Sequence, residues 1–570
     1  MIYLNSLLKH WIFLLNLSDS EVLQSYMDFQ NLPLSLPPLL LYAETHFRFF
    51  RHFPSLIYRK APEIVFDAPG RCMTHRKLPV SLIINDIVKF PIEINRVEIA
   101  VSHNSGCHKI FSSDDVGRYE IYAERPEQRF FMFEFSADSL PPGSIYLICK
   151  AIVSYFRKKF VVVNDNIPFM SHKPLRTVIT DTPFPGNRKS EYGDMHIHTS
   201  YSRSHVEFGP PISVTGRMAE ASGLSFCGIT DHSYDIECSM ANYLKKDESG
   251  NNWERIIRET ECSRECLLLP GEEVSALNSR NRSVHIGVCG KGVFIKGNND
   301  GARRFSKQEN DYHVGEVADK ARSENRIAFG AHPGSVPSLI HRTLLKRGKW
   351  RSTDVPETLS VLQIANGSLT SNSFGRALRL WISLLLQKRR ISIIAGNDSH
   401  GDFSRYRCIK FPFVSTLEMF ERFMGNCRTG IYREGILKSR DDVKSHILAG
   451  RTFITNGPYI DISKNEIPLV SNCVLDRRPE NLRVSALSSK EFGEITRVRV
   501  IAGDYREVSE KTLKDIAPKE GCLHYTAGIN LPQEFNSGYI RAEVMSSKDS
   551  NGPSRHAYTS PVYLRLTPSA

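Results

Sequence analysis

At 570 residues, with 41% hydrophobic and 24% charged side chains, the chain is too long for one ordinary core of ~100–200 residues and too apolar to be disordered. Its 74 Lys and Arg against 62 Asp and Glu leave a formal charge of +12. These basic residues are dispersed along the chain, which favours an anionic substrate through the general field without specifying nucleic acid. Twelve cysteines follow no repeated pairing, and the closest pair, Cys262 and Cys266, lacks the second pair of a structural zinc site. Reduced thiols and a cytoplasmic setting are therefore expected over a disulfide-stapled secreted fold.

Residues 1–60 carry two apolar runs, "MIYLNSLLKHWIFLLNLSDS" and "LPLSLPPLLLY". Neither reaches the ~20 apolar residues that span a bilayer, and the first lacks a basic opening and a small-residue cleavage site. We expect no transmembrane segment there, and leave a docking role open. From 61 to 185, short runs such as "VSLIIND", "RVEIAVS", "RFFMFEFSA" and "SIYLICKAIVSY" are divided by Gly, Pro, Asn and Asp, the pattern of a β-sandwich. "DTPFPGNR" reads as a linker. Over 190–460 the pattern changes to helix followed by strand: "SVTGRMAEASG" then "LSFCGIT", "YHVGEVADKARSEN" then "RIAFGAH", and "FGRALRLWISLLLQKR" then "ISIIAGNDSH". That alternation predicts a parallel β/α sheet or barrel. From 461 to 570, β-like runs such as "LRVSALSS" and "GYIRAEVMSS" predict a second, smaller β-domain.

The chemistry lies where the apolar strands of 190–460 end. In "GDMHIHTSYS", His196 and His198 share one face of an extended strand. "GITDH" ends in Asp231 and His232, and "PGEEVSA" carries Glu272 and Glu273. "SVHIGVCG" holds His285, "FGAHPG" ends on His332, "SVLQIANG" on Asn366, and "AGNDSHG" carries Asp398 and His400. Any one of them alone reads as well as a core histidine or a helix cap. In a parallel β/α barrel the C-terminal strand ends face one mouth, so these side chains would converge there. Imidazoles with carboxylates and no thiolate suit zinc, manganese or iron, and the donors outnumber the ligands of a single zinc. Two or three divalent ions are implied. No nucleophile elbow, P-loop or dinucleotide fingerprint accompanies them.

In this order, "GDMHIHTSYS", "GITDHS", "PGEEVSA", "VHIGVCG", "FGAHPG" and "AGNDSHG" resemble the motifs of the PHP superfamily, the polymerase and histidinol phosphatase metallohydrolases. The resemblance implies a distorted (β/α)7 PHP barrel holding two or three metals, flanked by the N-terminal β-sandwich and the small C-terminal β-domain. It assigns His196, His198, His232, Glu273, His285, His332, Asp398 and His400 as metal ligands, with His205 in "SYSRSH" as the third histidine of the first loop. "LAGRTFITNGPYI" resembles the CehA/McbA-like branch, in which Arg451 and Asn456 would either border the active site or form a turn joining two domains.

The expected activity is a metal-dependent phosphoesterase using metal-activated water, with His232, His205 and Asp398 as catalytic candidates. Arg203, Arg282 and Arg376 are candidate phosphate partners. Its substrate would be an anionic or ester small molecule, a nucleotide or sugar phosphate among the candidates. Hydrolysis of a carbamate, carboxylic ester or amide is the alternative on the same metals, and a non-catalytic scaffold with a vestigial barrel is another. Oligomeric state is left open by the sequence.

Overall fold

The computed structural model describes residues 62–565 except 89, 104–105, 122–127, 156–157, 168–171, 203–208, 240–241, 247–250, 265, 298–311, 338, 344–345, 403–407, 412–413, 418–421, 436, 472–473, 476–478, 480 and 548–552. The N-terminal segment 1–60, Arg203 and His205 thus lie outside the described residues. The chain is mostly β with few helices, arranged in several sheets. Among the described residues no helix is long and apolar enough to cross a membrane. Among the described residues two compact units result: 62–180 with 402–417, and 181–401 with 422–565.

In the first unit, an antiparallel sheet runs Glu63–Asp67, Lys77–Asn85, Gln128–Ser136, Glu120–Ile121. Another is built on Gly143–Tyr155, Glu93–His103 and Leu175–Thr180. Leu175–Thr180 alternates buried and half-buried residues, the period-2 pattern of a strand with one face to a core. Phe111 of one sheet meets Phe133 and Phe135 of the other. Asp402 belongs here too. Its backbone N–H donates to the fully buried Asp67 carboxylate, and its own carboxylate accepts from Gly70 N–H at 3.1 Å.

The second unit carries the predicted ligands. Ser190–Ile197 lies parallel to Phe226–Ile229 and antiparallel to Arg428–Tyr432, within an 11-stranded sheet. A six-stranded sheet runs Asp231–His232, Gly271–Leu277, Ser283–Cys289, Ile327–Gly330, Val361–Asn366, Ser392–Gly396. The predicted helices form at Ile212–Ser222, Val314–Ser323 and Asn372–Leu386. Ser371 caps the last of these by accepting from Phe374 N–H, satisfying a donor that the first helical turn leaves over.

A regular sevenfold alternation of strand and helix is not what these sheets show. Ser283–Cys289 runs antiparallel to both of its neighbours, and among the described residues only five helices reach eight residues. The local reason is the connection Asn278–Arg282. The Asn278 side-chain carbonyl accepts from the N–H groups of Arg280 and Arg282, closing a tight turn where a crossover helix would be needed for parallel strands. The boundary expected at residue 460 is likewise crossed by strand pairing. Thr452–Thr455 pairs with Arg555–Thr559, which continues through Ser537–Ser547 and Glu494–Asp504 to Ser509–Ile516. These C-terminal strands extend the sheet that contains Ser190–Ile197.

Candidate metal centre

Ser190–Ile197 delivers the first donors. Its pairing with Phe226–Ile229 is irregular between Asp194 and Ile197, where the buried Asp194 carboxylate accepts from His196 N–H and from both the backbone and side chain of Asn397. Asp398 N–H donates to His196 carbonyl, and His198 N–H to Ser399 carbonyl. Gly396 allows this approach, because a Cβ there would lie 2.4 Å from the His196 Cβ. The first and last motifs, some 200 residues apart, are thereby locked together, with His196 Nε2 and His198 Nε2 only 3.1 Å from each other.

Glu273 is the hub of the cluster. Its Oε1 lies 2.8 Å from His285 Nδ1, 2.9 Å from His332 Nε2 and 3.5 Å from His196 Nε2. Its Oε2 lies 3.0 Å from His232 Nδ1 and 3.6 Å from His198 Nε2. Asp398 Oδ1 adds 3.1 Å to His198 Nε2, and the His400 ring stacks on that of His198 at 4.2 Å. Donor atoms close enough to share one ion, all within 4.8 Å of one another, come from His198, His232 and His400, from His196, Glu273 and His332, and from His196, His198 and Asp398. His285 points at Glu273 beside the second of these groups. Eight of the nine predicted ligands therefore meet, and the ninth, His205, lies outside the described residues.

The far side of each ring is tied down. His196 Nδ1 lies 2.8 Å from Gln363 Oε1 and His198 Nδ1 2.9 Å from Ser202 Oγ, leaving both Nε2 atoms turned inward, the usual means of orienting metal-binding imidazoles. Neither Gln363 nor Ser202 was predicted. A glutamine inside the apolar run "SVLQIAN" was a readable signal, because a fully buried amide must find partners. Ser202 had no such signal. Asp231 and Glu272, at the predicted strand ends, turn out to hold the scaffold. Asp231 accepts from Thr199 and Ser202, and Glu272 binds Arg326, Ser233 and Ile295 N–H.

Burial works against every charge here, and the neighbours decide the outcome. For Glu273, burial is outweighed by His285 and His196, so its carboxyl sits well below the ordinary range. Asp398 is held down in the same way, by Arg422 and His198. Burial, then the neighbouring His400 and His232, drives His198 well below its usual value, while burial takes His400 down to about 4. Both rings are neutral at pH 7, the state a metal ligand needs. His196 is raised, because Glu273 and Asp398 outweigh its burial. His332 and Asp398 take positive φ of 31° and 52°, conformations that cost ~1–3 kcal/mol and persist where the surroundings over-determine them.

Two unpredicted arginines reach the cluster. Arg422 Nη1 lies 2.8 Å from Asp398 Oδ2 with its side chain 37% exposed, and Arg347 Nη2 lies 3.2 Å from His285 Nε2. Of the arginines proposed from sequence, Arg282 donates to Arg342 carbonyl and Arg376 to Gly334 carbonyl, while Arg203 lies outside the described residues. Asn456 exchanges backbone and side-chain bonds with His556, and Arg451 pairs with Glu434. Of the two readings of "GRTFITNGP", the structural turn fits.

No family model and no curated protein matches the chain. Among solved structures, the β-glucuronidase of Parabacteroides merdae, described alone and with glycerol in its active site, matches at 9% identity with a TM-score of 0.17, over 89% of this chain and 64% of that one. The chain spans less than two thirds of that protein, and a likeness at this level carries no argument about fold or function.

Proposed function

We propose that the protein is a PHP-type metallohydrolase, of the branch similar to CehA and McbA, that cleaves phosphate esters with the help of two or three divalent ions (Zn, Mn or Fe). The observation that carries this reading is the set of three overlapping donor groups joined through His196 and His198, with one arginine at Asp398 and another at His285 beside them. An isolated parallel bridge between Ile197 and Ser399 brings the first and last motifs of the donor set together.

His196, His198, His232, Glu273, His332, Asp398 and His400 would hold the ions, with His285 beside Glu273. The ions would supply Lewis acidity and make water acidic enough to act as a nucleophile at neutral pH. The chain's own residues set up the rest. Gln363 and Ser202 keep the His196 and His198 rings turned inward. Arg422 and Arg347 place guanidinium charge at the edge of the donor set, where phosphoryl oxygens need it. His198 and His400, neutral at pH 7, serve as ligands. His232 and His205 are the candidates for giving a proton to the leaving oxygen in this reading.

The test is turnover of a panel of phosphomonoesters and diesters by protein loaded with manganese or zinc, alongside His196→Ala. Metal-dependent phosphate release, lost in the variant, is the expected result. Cleavage of aryl esters or carbamates without phosphate release would move the chemistry to carbonyl carbon. Less than one metal per chain after reconstitution, with no turnover of any ester, would overturn the reading.

A further inference from the structure

Two chain segments with no acidic residue come together beside the cluster. Residues 278–283, "NSRNRS", and 335–353, "SVPSLIHRTLLKRGKWRST", carry seven Lys and Arg and neither Asp nor Glu. In the sequence they stand some 60 residues apart and each reads as an ordinary solvated loop. The fold sets them side by side: Ser283 pairs with Arg347 as an isolated parallel bridge, Ser283 N–H donates to Lys346 carbonyl, and Gly348 N–H to Ser283 carbonyl. Asn278 donates its amide to Lys349 carbonyl, and Arg282 its guanidinium to Arg342 carbonyl. Gly348 makes the approach possible, since a Cβ there would lie 2.7 Å from Arg282 Cβ.

The side chains of Arg280, Arg282, Arg342, Lys346 and Lys349 are exposed, and among the described residues no carboxylate pairs with them. Elsewhere on the surface, cations such as Lys77, Arg129 and Arg497 are matched with Glu134, Glu120 and Asp515. An unbalanced cationic strip costs stability through self-repulsion unless an anion uses it. This strip has an inner end, because Arg347 lies within it and reaches His285, which in turn bonds Glu273.

We infer that the strip binds a chain of phosphates, an oligonucleotide single strand or a polyphosphate, whose terminal phosphate enters the cluster past Arg347. This rests on the phosphoesterase reading for the cutting step, and on the strip alone for binding. The scattered charge of the whole chain did not call for nucleic acid. The folded strip does, because several like charges at short spacing match a repeating anion and exceed what one phosphate needs.

The test uses Arg280→Ser, Lys346→Asn and Lys349→Ser in one protein. All three positions are exposed and lie outside the donor set, and Asn suits the positive φ of 49° at Lys346. Two measurements are made: anisotropy of a labelled 5′-phosphorylated oligothymidine and of labelled polyphosphate in the presence of EDTA, and turnover of p-nitrophenyl phosphate and of the oligothymidine with manganese. The expected results are about tenfold weaker binding, a log–log salt slope shallower by about 2 at ~0.7 per charge, a matching rise in KM for the oligothymidine, and p-nitrophenyl phosphate turnover within about twofold of the parent. Preference for one polymer over the other identifies the source of the phosphates. Equal binding of both polymers by parent and variant overturns the inference even where phosphate release stands. Strip-dependent binding without release of phosphate from any substrate keeps the inference and sinks the phosphoesterase reading.

Discussion

The second unit buries two clusters of charged and titratable groups, and they are solved in opposite ways. Between the C-terminal strands, Arg541 makes a two-pronged contact with Glu510 at 2.7 Å on each arm and also binds Glu543, which Arg499 holds from its other side at 2.7 Å. Tyr539 hydroxyl donates to Glu510, and Trp381 lies under the guanidinium. Two cations meet two anions, so the cluster closes on its own side chains. Around Glu273 and Asp398, six imidazoles crowd two carboxylates, and ring nitrogens face one another at 3.1 Å. An excess of inward lone pairs of this kind is what a cation from outside would relieve. A buried polar cluster that is complete in itself is structure, and one that needs a further ion is a site.

This contrast can be broken most sharply at the hub. Glu273→Gln should lower turnover by at least about 10³-fold, roughly 4 kcal/mol of transition-state stabilisation, and reduce bound metal, while the metal-free protein keeps its thermal midpoint. Loss of folding with retained metal would make Glu273 a structural anion like Glu543. Arg541→Ala should do the reverse. Leaving Glu543 and Glu510 buried against a missing partner costs about 3–5 kcal/mol, read in urea unfolding, with metal content per folded chain unchanged. Unaltered stability would show that the C-terminal cluster is not self-contained.

A smaller effect separates ligand from support. Ser202→Ala removes the contact that orients His198 and should weaken metal affinity by about 10–100-fold, seen by competition with a chelator, without removing a donor atom. An unchanged affinity would mean that strand geometry alone aims His198. The least effect belongs far from both clusters. Ser439→Ala deletes the cap of Arg440–Leu448, where Ser439 Oγ accepts from Asp442 N–H. It should cost about 1 kcal/mol of stability and leave turnover and metal content at the parent values.

Much of the donor set was legible because strand ends announce themselves. His196, His232, Glu273, His332 and Asp398 each close or follow a short apolar run, and a polar group in such a place needs a partner. The helices Ile212–Ser222 and Asn372–Leu386 were legible through their apolar periodicity. The reversal of Ser283–Cys289 was present in "LNSRNRS" as a turn signal, yet the repeated helix-then-strand pattern around it outweighed that signal. Residues 1–60 and His205, expected as a docking segment and a ligand, lie outside the described residues.

By itself, then, the sequence determined the chemistry of the donors: imidazole and carboxylate, no thiolate, at the ends of consecutive strands. Only the tertiary structure decided which donors lie close enough to share an ion, that Gln363 and Ser202 aim them, that Arg347 and Arg422 stand beside them, and that two basic loops fuse into one strip. The physical reason is reach. Strand and helix patterns are set by neighbours a few residues apart, whereas the bonds between His196 and Asp398, or Ser283 and Lys346, join residues tens to hundreds of positions apart, and such contacts exist only once the sheets have closed around a common core.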